Sequence, residues 1–332
     1  MREMKTRITA LLLCFVVALG LMAGCSSEKP AAEPAAPAST AEPAPADTAE
    51  PAAPAGNYKV TLITMDQMDQ HWVNVDKGCK EAVAELGNVD YNWLAPDVKD
   101  DAKQIECINN AVAGGAQAIL LAANGPDAVT ASLKEAEAAG VKIVYVDSAA
   151  DYPGVATLAT DNKAAGTTAG NEMIKALEAA GITEGKIGIV NVNAATASTV
   201  AREEGFRAAF EGTKFEILET QYGDGDAAKS KDIAANYITQ GCVGIFGANE
   251  GSTVGTGNAI QEAGGTVIGV GFDKSDTILG LIKNGFLLCT MAQNPDVMGR
   301  EGVKVAVKAL SGETIDQTNV DTGVSVLNKD TI

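Results

Sequence analysis

The densest run of chemically useful side chains in this sequence is Met65–Trp72, MDQMDQHW. It holds two carboxylates (Asp66, Asp69), two amides (Gln67, Gln70), the single histidine of the chain (His71) and one of its two tryptophans (Trp72). Carboxylates and amides pair with hydroxyl groups, and a flat apolar ring covers the C–H face of a small ring compound. That combination suits a small polyhydroxylated ligand. A solvated loop whose Trp72 caps the core accounts for the same residues. The run Val60–Thr64 before the stretch reads as a strand, and a helical pattern begins near Val73 after it. The stretch is therefore expected on the loop leaving a first strand, where ligands bind in open parallel α/β sheets.

Other chemistries fit less well. A dinucleotide site needs a glycine-rich turn after the first strand, so that backbone amides approach the pyrophosphate. This turn has no glycine. Gly251–Gly257 is glycine-rich but has the wrong spacing, and Gly181–Lys186 is one residue short of a phosphate loop and lacks its Ser/Thr. A serine hydrolase would depend on His71 as its base, and no G-x-S-x-G elbow occurs. Asp147 and Asp273 could be the paired carboxylates of a glycosidase, but carboxylates also hold sugar hydroxyls without reaction. The reading is a binding protein rather than an enzyme, with no cofactor. One histidine and scattered cysteines give no zinc spacing. A formal charge of −18 repels phosphate backbones, so nucleic acid is not an expected partner.

Alternating strand and helix patterns position these residues. Strands are expected at Tyr58–Thr64, Tyr91–Leu94, Ala118–Ala122 and Val141–Val146, with helices at Val73–Leu86, Asp101–Ala113 and Asp127–Ala139 between them. A second series follows: strands at Lys186–Val192, Phe215–Thr220, Gly244–Gly247 and Val267–Gly271, helices at Thr199–Phe210, Ala227–Thr239, Thr253–Ala263 and Ser275–Lys283. The end adds a strand at Phe286–Met291, a helix at Val297–Leu310 and a short strand at Gly323–Leu327. Short buried strands alternating with helices mean parallel sheets covered on both faces. The two series match locally. Ile119–Asn124 parallels Gly244–Asn249, and Ile143–Ser148 parallels Val270–Ser275. Each half thus presents an Asn and an Asp at carboxyl ends of strands, and two such lobes facing each other would put both sets on one cleft. Helix capping is the competing role for Asp147 and Asp273.

Residues 1–24 read as a signal segment: a basic start (Arg2, Lys5, Arg7), an apolar run from Ile8 to Leu19, and small residues before Cys25. The apolar run is short for a membrane span. Leu21–Cys25 resembles a bacterial lipobox, which makes Cys25 the expected lipidation site and the membrane contact a lipid anchor only. Residues 25–56, rich in Ala, Pro and Glu, read as a disordered tether. Cys79 and Cys107 fall on the first two helices, which right-handed crossovers from a switch point put on opposite sheet faces, so no bridge between them is expected.

Taken in order, Asp147, Ala159–Asn162, Arg202–Phe206, Ala248–Glu250, Gly271–Asp273 and Ala292–Asp296 resemble the ribose- and galactose-type periplasmic binding proteins, the sugar receptors of ABC importers. The resemblance runs from Tyr58 to the end of the chain. It implies a type I periplasmic binding fold: two Rossmann-like lobes, one of residues 57–160 and 294–322, the other of 161–293 and 323–332, joined by a three-segment hinge. It implies that Asp147, Arg202, Asn249, Asp273 and Gln293 bond sugar hydroxyls, that Asp69 occupies a position that is Asn in the ribose-binding branch, and that His71 and Trp72 stand at aromatic positions against the ring. That branch has an Arg where this chain has Ser148 and a Phe where it has Gly225. The pocket is therefore expected to lose a positive charge and a ring, and to suit a hexose, polyol or amino-bearing sugar rather than ribose. The expected partner is an ABC permease, and the expected state a monomer. The alternative is a ligand sensor presenting bound sugar to a chemoreceptor or sensor kinase. A repressor of similar core would need a basic DNA-binding helix pair before it, which this sequence lacks.

Overall fold

A computed structural model describes residues 57–332. The signal segment, Cys25 and the tether lie outside the described residues. Among those described, no helix is long and apolar enough to cross a membrane.

The first sheet contains β1 (Tyr58–Ile63), β2 (Val89–Leu94), β3 (Ala118–Leu121), β4 (Lys142–Val146), β5 (Ala156–Ala159) and, from near the end of the chain, β12 (Asn319–Asp321). Its order is β12-β5-β4-β3-β1-β2, parallel throughout. Its helices are α1 (Gln70–Leu86), α2 (Asp101–Ala113), α3 (Thr130–Ala138) and the late α9 (Pro295–Ser311). The second sheet is made of β6 (Glu184–Asn191), β7 (Lys214–Ile217), β9 (Cys242–Gly247), β10 (Ile268–Phe272), β11 (Cys289–Gln293) and β13 (Val324–Asn328), with a two-residue β8 (Gln221–Tyr222) beside β6. Its order, β13-β11-β10-β9-β6-β7, repeats the first, except that β13 is antiparallel. Its helices are α4 (Asn162–Ala179), α5 (Ala197–Ala209), α6 (Ala227–Thr239), α7 (Glu250–Glu262) and α8 (Asp276–Lys283). The chain passes between the sheets three times: from β5 to α4, from β11 to α9, and from β12 to β13. In both sheets the order reverses beside the first strand of the series, which is where such folds bind ligands.

Local chemistry sets most helix ends. Asp100, Asp161, Asp226, Asn249 and Ser275 each accept a backbone N–H of the first turn that follows. Gly87 and Gly312 end α1 and α9 in the left-handed conformation. Sequence periodicity missed α4, whose run NKAAGTTAGNEMIKALEA is rich in Gly and Thr and reads as a weak helix. Those small residues exist for packing. A Cβ on Gly166 would stand 2.0 Å from the carbonyl oxygen of Arg202, and one on Gly205 2.0 Å from that of Lys163. In the first sheet's body, α1 and α9 meet in the same way: a Cβ on Gly78 would lie 2.0 Å from the Asp296 carbonyl oxygen, and one on Gly299 2.0 Å from that of Val75. The second body has a further such pair, since a Cβ on Gly255 of α7 would lie 2.6 Å from the Lys231 nitrogen of α6; the α1–α9 and α4–α5 pairs hold the site-bearing helices α1 and α5.

The apolar cores lie on both faces of each sheet. Cys79 belongs to the core under α1 and α9, whereas Cys107 packs against the core on the opposite face. Cys79, Cys107, Cys242 and Cys289 are all free thiols.

The helix contacts yield a paired expectation. Gly299→Ala should destabilise by about 1–3 kcal/mol, because the new methyl group meets backbone that cannot give way. Gly280→Ala in α8 meets nothing within 4 Å and should stabilise by about 0.5–1 kcal/mol. Urea denaturation of the two variants tests both signs.

Candidate ligand-binding site

Asp147 and Asp273 end β4 and β10 at equivalent points of the repeat. Both hold left-handed backbone, with φ of 62° and 72°, a conformation that costs a non-glycine residue about 1–2 kcal/mol. Each is pinned there by its own N–H, which donates to the next strand: Asp147 to Leu158 O and Asp273 to Met291 O, both 2.9 Å. Neither caps a helix; Ser275 caps α8, and β4 is followed by β5. The competing capping role is thereby removed. What the turn achieves is to aim both carboxylates into the space between the sheets.

His71 lies between them. Its Nε2 is 3.2 Å from Asp147 Oδ1 and its Nδ1 is 3.5 Å from Asp273 Oδ1. Two acceptors on two ring nitrogens favour the imidazolium. Burial lowers the affinity of the ring for its proton, but Asp273 and Asp147 outweigh burial and raise the pKa above its ordinary 6.5. The expectation of a flat apolar surface at His71 is therefore corrected: in this arrangement the ring works through its nitrogens. Trp72 does supply an apolar face. It packs edge-on to His71 with centroids 4.7 Å apart and reaches Asp66 Oδ2 with its indole N–H at 3.3 Å. Both residues are in α1, which starts at Gln70 rather than near Val73, so the expected loop ends at Asp69.

The second body contributes α5. Arg202 donates Nε to Asn162 Oδ1 at 2.7 Å and Nη1 to Ala248 O at 3.0 Å, and stacks 4.2 Å over the Phe272 ring. With those bonds fixing the guanidinium, Nη2 points 3.5 Å from Asp147 Oδ1. Ser198 Oγ donates to Asp147 Oδ2 at 3.3 Å. Burial works against the charge of Asp147, yet His71, Arg202 and Ser198 hold its pKa below the ordinary value. Gln293, the last residue of β11 rather than one beyond it, donates Nε2 to Asp273 Oδ1 at 2.6 Å. Asn249 spends its Oδ1 capping α7 through Ser252 N–H at 3.1 Å, which leaves its Nδ2 for the cavity.

Lys99 was not anticipated. Its ammonium pairs with Asp66 and, at 3.0 Å, with Asp69. Burial pushes the Asp69 pKa up to about 6, against the pull of Lys99. Lys99 also packs on the opposite body, where a Cβ on Gly225 would come 2.7 Å from its Nζ. The expected loss of a positive charge is thus corrected. Lys99 restores one, fills the space beside Gly225, and neutralises Asp69. Lys99 sits in an irregular loop far from Gly225 in sequence, so no motif marked it.

Asp69, His71, Trp72, Asp147, Arg202, Asn249, Asp273 and Gln293 all line one small cavity, together with Lys99, Met65 and Ser198. Ser148 is buried beside it and accepts the Ser198 N–H at 3.4 Å. Asn124, the repeat partner of Asn249, is drawn away to Asp101 and Gln104. The cavity volume is about 20 Å³, room for about one water molecule. A ring-sized guest must part the walls, and wider clefts of about 540 and 620 Å³ open on either side. Four buried polar atoms in this lining make no well-aligned hydrogen bond: His71 Nε2, Asp147 Oδ1 and Arg202 Nη2, which meet one another only as ion pairs at 3.2 and 3.5 Å, and Gln293 Oε1.

Three comparisons bear on this arrangement. A family model described as periplasmic binding protein domain matches residues 60–314. The ribose import binding protein of Salmonella typhimurium is 30% identical over 262 residues, 77% of this chain and 86% of that protein. Among solved structures, an ABC transporter solute-binding protein of Agrobacterium vitis with bound D-fucose superposes with a TM-score of 0.78 at 32% identity, covering 82% of this chain and 96% of the other. A carbohydrate transporter solute-binding protein of Agrobacterium radiobacter in complex with D-arabinose gives 0.79 at 30%, covering 83% and 96%.

With a single histidine, the untagged protein gives one imidazole titration by NMR. Its midpoint should lie above 6.5, and Asp147→Asn or Asp273→Asn should each lower it. The bridge is complete below pH 6.5 and is lost as pH rises through the shifted value. A midpoint under 6.5 would mean that burial outweighs the carboxylates.

Proposed function

This chain belongs to the periplasmic binding protein family, and on that footing we propose that it captures a neutral monosaccharide or related polyol between its two lobes and hands it, unaltered, to the permease of an ABC importer. The observation that carries this reading is the set of four polar atoms, contributed by both lobes around one cavity, that make no well-aligned hydrogen bond within the protein. Leaving a buried polar group unpaired costs about 1–3 kcal/mol, so such a set calls for a ligand with several hydroxyls. The relatives named for ribose and the neighbours holding D-fucose and D-arabinose support the sugar class.

Asp147, Arg202, Asn249, Asp273 and Gln293 supply the hydroxyl partners in this proposal. Asp147, Asp273 and Arg202 make the charge-assisted and therefore stronger bonds. Trp72 covers the ring face, while Asp69 acts together with Lys99. The three crossing segments act as the hinge, opening the lobes to admit the ring and closing to expel water. A guest that lacks one hydroxyl leaves its protein partner unpaired, and this sets specificity. Because Lys99 takes up the charge of Asp69, the acidic lining gives no special welcome to an amine. Lys99 supplies its charge beside Gly225 rather than at Ser148 and offers no ring, so in this proposal ribose is not the preferred sugar.

The family works outside the cytoplasm. We place this chain there as a monomer, held at the outer face of the membrane by lipid on Cys25. Cys25→Ala should release the protein from the membrane fraction; unchanged fractionation would remove the anchor.

Calorimetry with pentoses, hexoses, deoxyhexoses, polyols and amino sugars tests the ligand class. Asp273→Ala should weaken the preferred sugar at least about tenfold while the thermal transition stays cooperative. An amino sugar or ribose that binds more tightly than every other sugar would overturn the corresponding part of the proposal.

A further inference from the structure

The helix that presents His71 and Trp72 lacks a cap of its own. Asp69 stands at the N-cap of α1, yet its side chain makes no capping bond; Lys99 holds it instead, at 3.0 Å. The missing acceptor comes from the other lobe. Glu250, the first residue of α7, places Oε2 3.0 Å from the backbone N of His71. A buried carboxyl group thus joins the N-terminal ends of two helices that belong to different lobes. Glu250 does not line the sugar cavity; it faces the neighbouring cleft.

We propose that Glu250 is the closure latch: it supplies the cap of α1 from the opposite lobe, so the helix carrying His71 and Trp72 is fully capped only when the lobes are shut. The inference rests on the reading of the two sheet bodies as lobes that open and close. It assigns Glu250 to holding the lobes and not to choosing the sugar.

The latch is coupled to protons. Glu250 is pushed up to about 7, by burial first and then by the carboxylates of Asp69 and Asp273, against the backbone N–H groups of Gln70 and His71. Asp66 and Lys99 of the first lobe and Asp224, Asp226 and Lys229 of the second share its cleft. In the open form the group returns towards its ordinary 4.5. Closure therefore takes up a proton at Glu250 between those values, and the neutral carboxyl still accepts the His71 N–H through its carbonyl oxygen. As pH falls from about 7 towards 4.5, this group increasingly favours closure; above 7 the advantage is gone.

Wild type, Glu250→Ala and Glu250→Gln separate the possibilities. The readouts are hydrogen exchange at the His71 amide in the ligand-free protein and the off-rate of whichever sugar calorimetry finds. At pH 6, Glu250→Ala should expose the His71 amide and speed sugar release roughly fivefold, the size of a lost helix cap, with the on-rate unchanged. Glu250→Gln, an uncharged acceptor of the same shape, should match wild type at pH 6 and keep its hold to pH 8, where wild type loosens. Equal His71 exchange in wild type and Glu250→Ala overturns the latch, as does a Gln variant that behaves like Ala at pH 6. If no sugar binds, the sugar reading fails by itself, because the exchange comparison is made without ligand.

Discussion

Two acidic lobes can close on each other only if their carboxylates are neutralised across the gap. Asp66, Asp69 and Asp147 come from one side, Asp273 and Glu250 from the other, and all are buried. Isolated charges in that position are strongly disfavoured. Three cations meet the requirement. Lys99 stands between Asp66 and Asp69, His71 between Asp147 and Asp273, and Arg202 beside Asp147. The pairing of His71 with Asp273 and of Arg202 with Asp147 crosses from one lobe to the other, so for these acids closure and charge compensation are the same event, whereas Lys99 compensates Asp66 and Asp69 within its own lobe.

This compensation is incomplete by design of the geometry. Arg202 is fixed by Asn162, Ala248 and Phe272 before it faces Asp147, and its Nη2 is left without a hydrogen bond. Asp147 and Asp273 are held by strained left-handed turns that fix the direction of their carboxylates. The groups are near enough to cancel charge and too constrained to satisfy one another. In the function proposed above, a ligand rich in hydroxyls supplies the bonds the protein withholds from itself. The glycine-closed pairs of α1 with α9 and α4 with α5 bring the site-bearing helices into backbone contact with their neighbours.

The pattern of the fold was legible in the sequence wherever period and capping agree. Strands and helices of both series lie close to their expected places, and α2 and α6 match at both ends. The internal repeat located Asp147 and Asp273, and the motif order located Arg202, Asn249 and Gln293; all of them line the same cavity. The short strands β5 and β12 carry too few residues to show a period. The helix α4 was hidden because its composition answers to α5, a neighbour in space, and not to helix propensity.

What the sequence by itself determined is the inventory: a doubled α/β pattern, with carboxylate and amide side chains placed at the carboxyl ends of its strands. Spacing along a chain carries that information because strand and helix periods are local. What only the tertiary structure decided is who partners whom. Lys99 reaches Asp69, His71 joins acids from two lobes, and Glu250 caps a helix it does not belong to. Those are electrostatic contacts between distant segments. Their strength depends on burial and on distances of a few ångströms, which no local pattern of residues encodes.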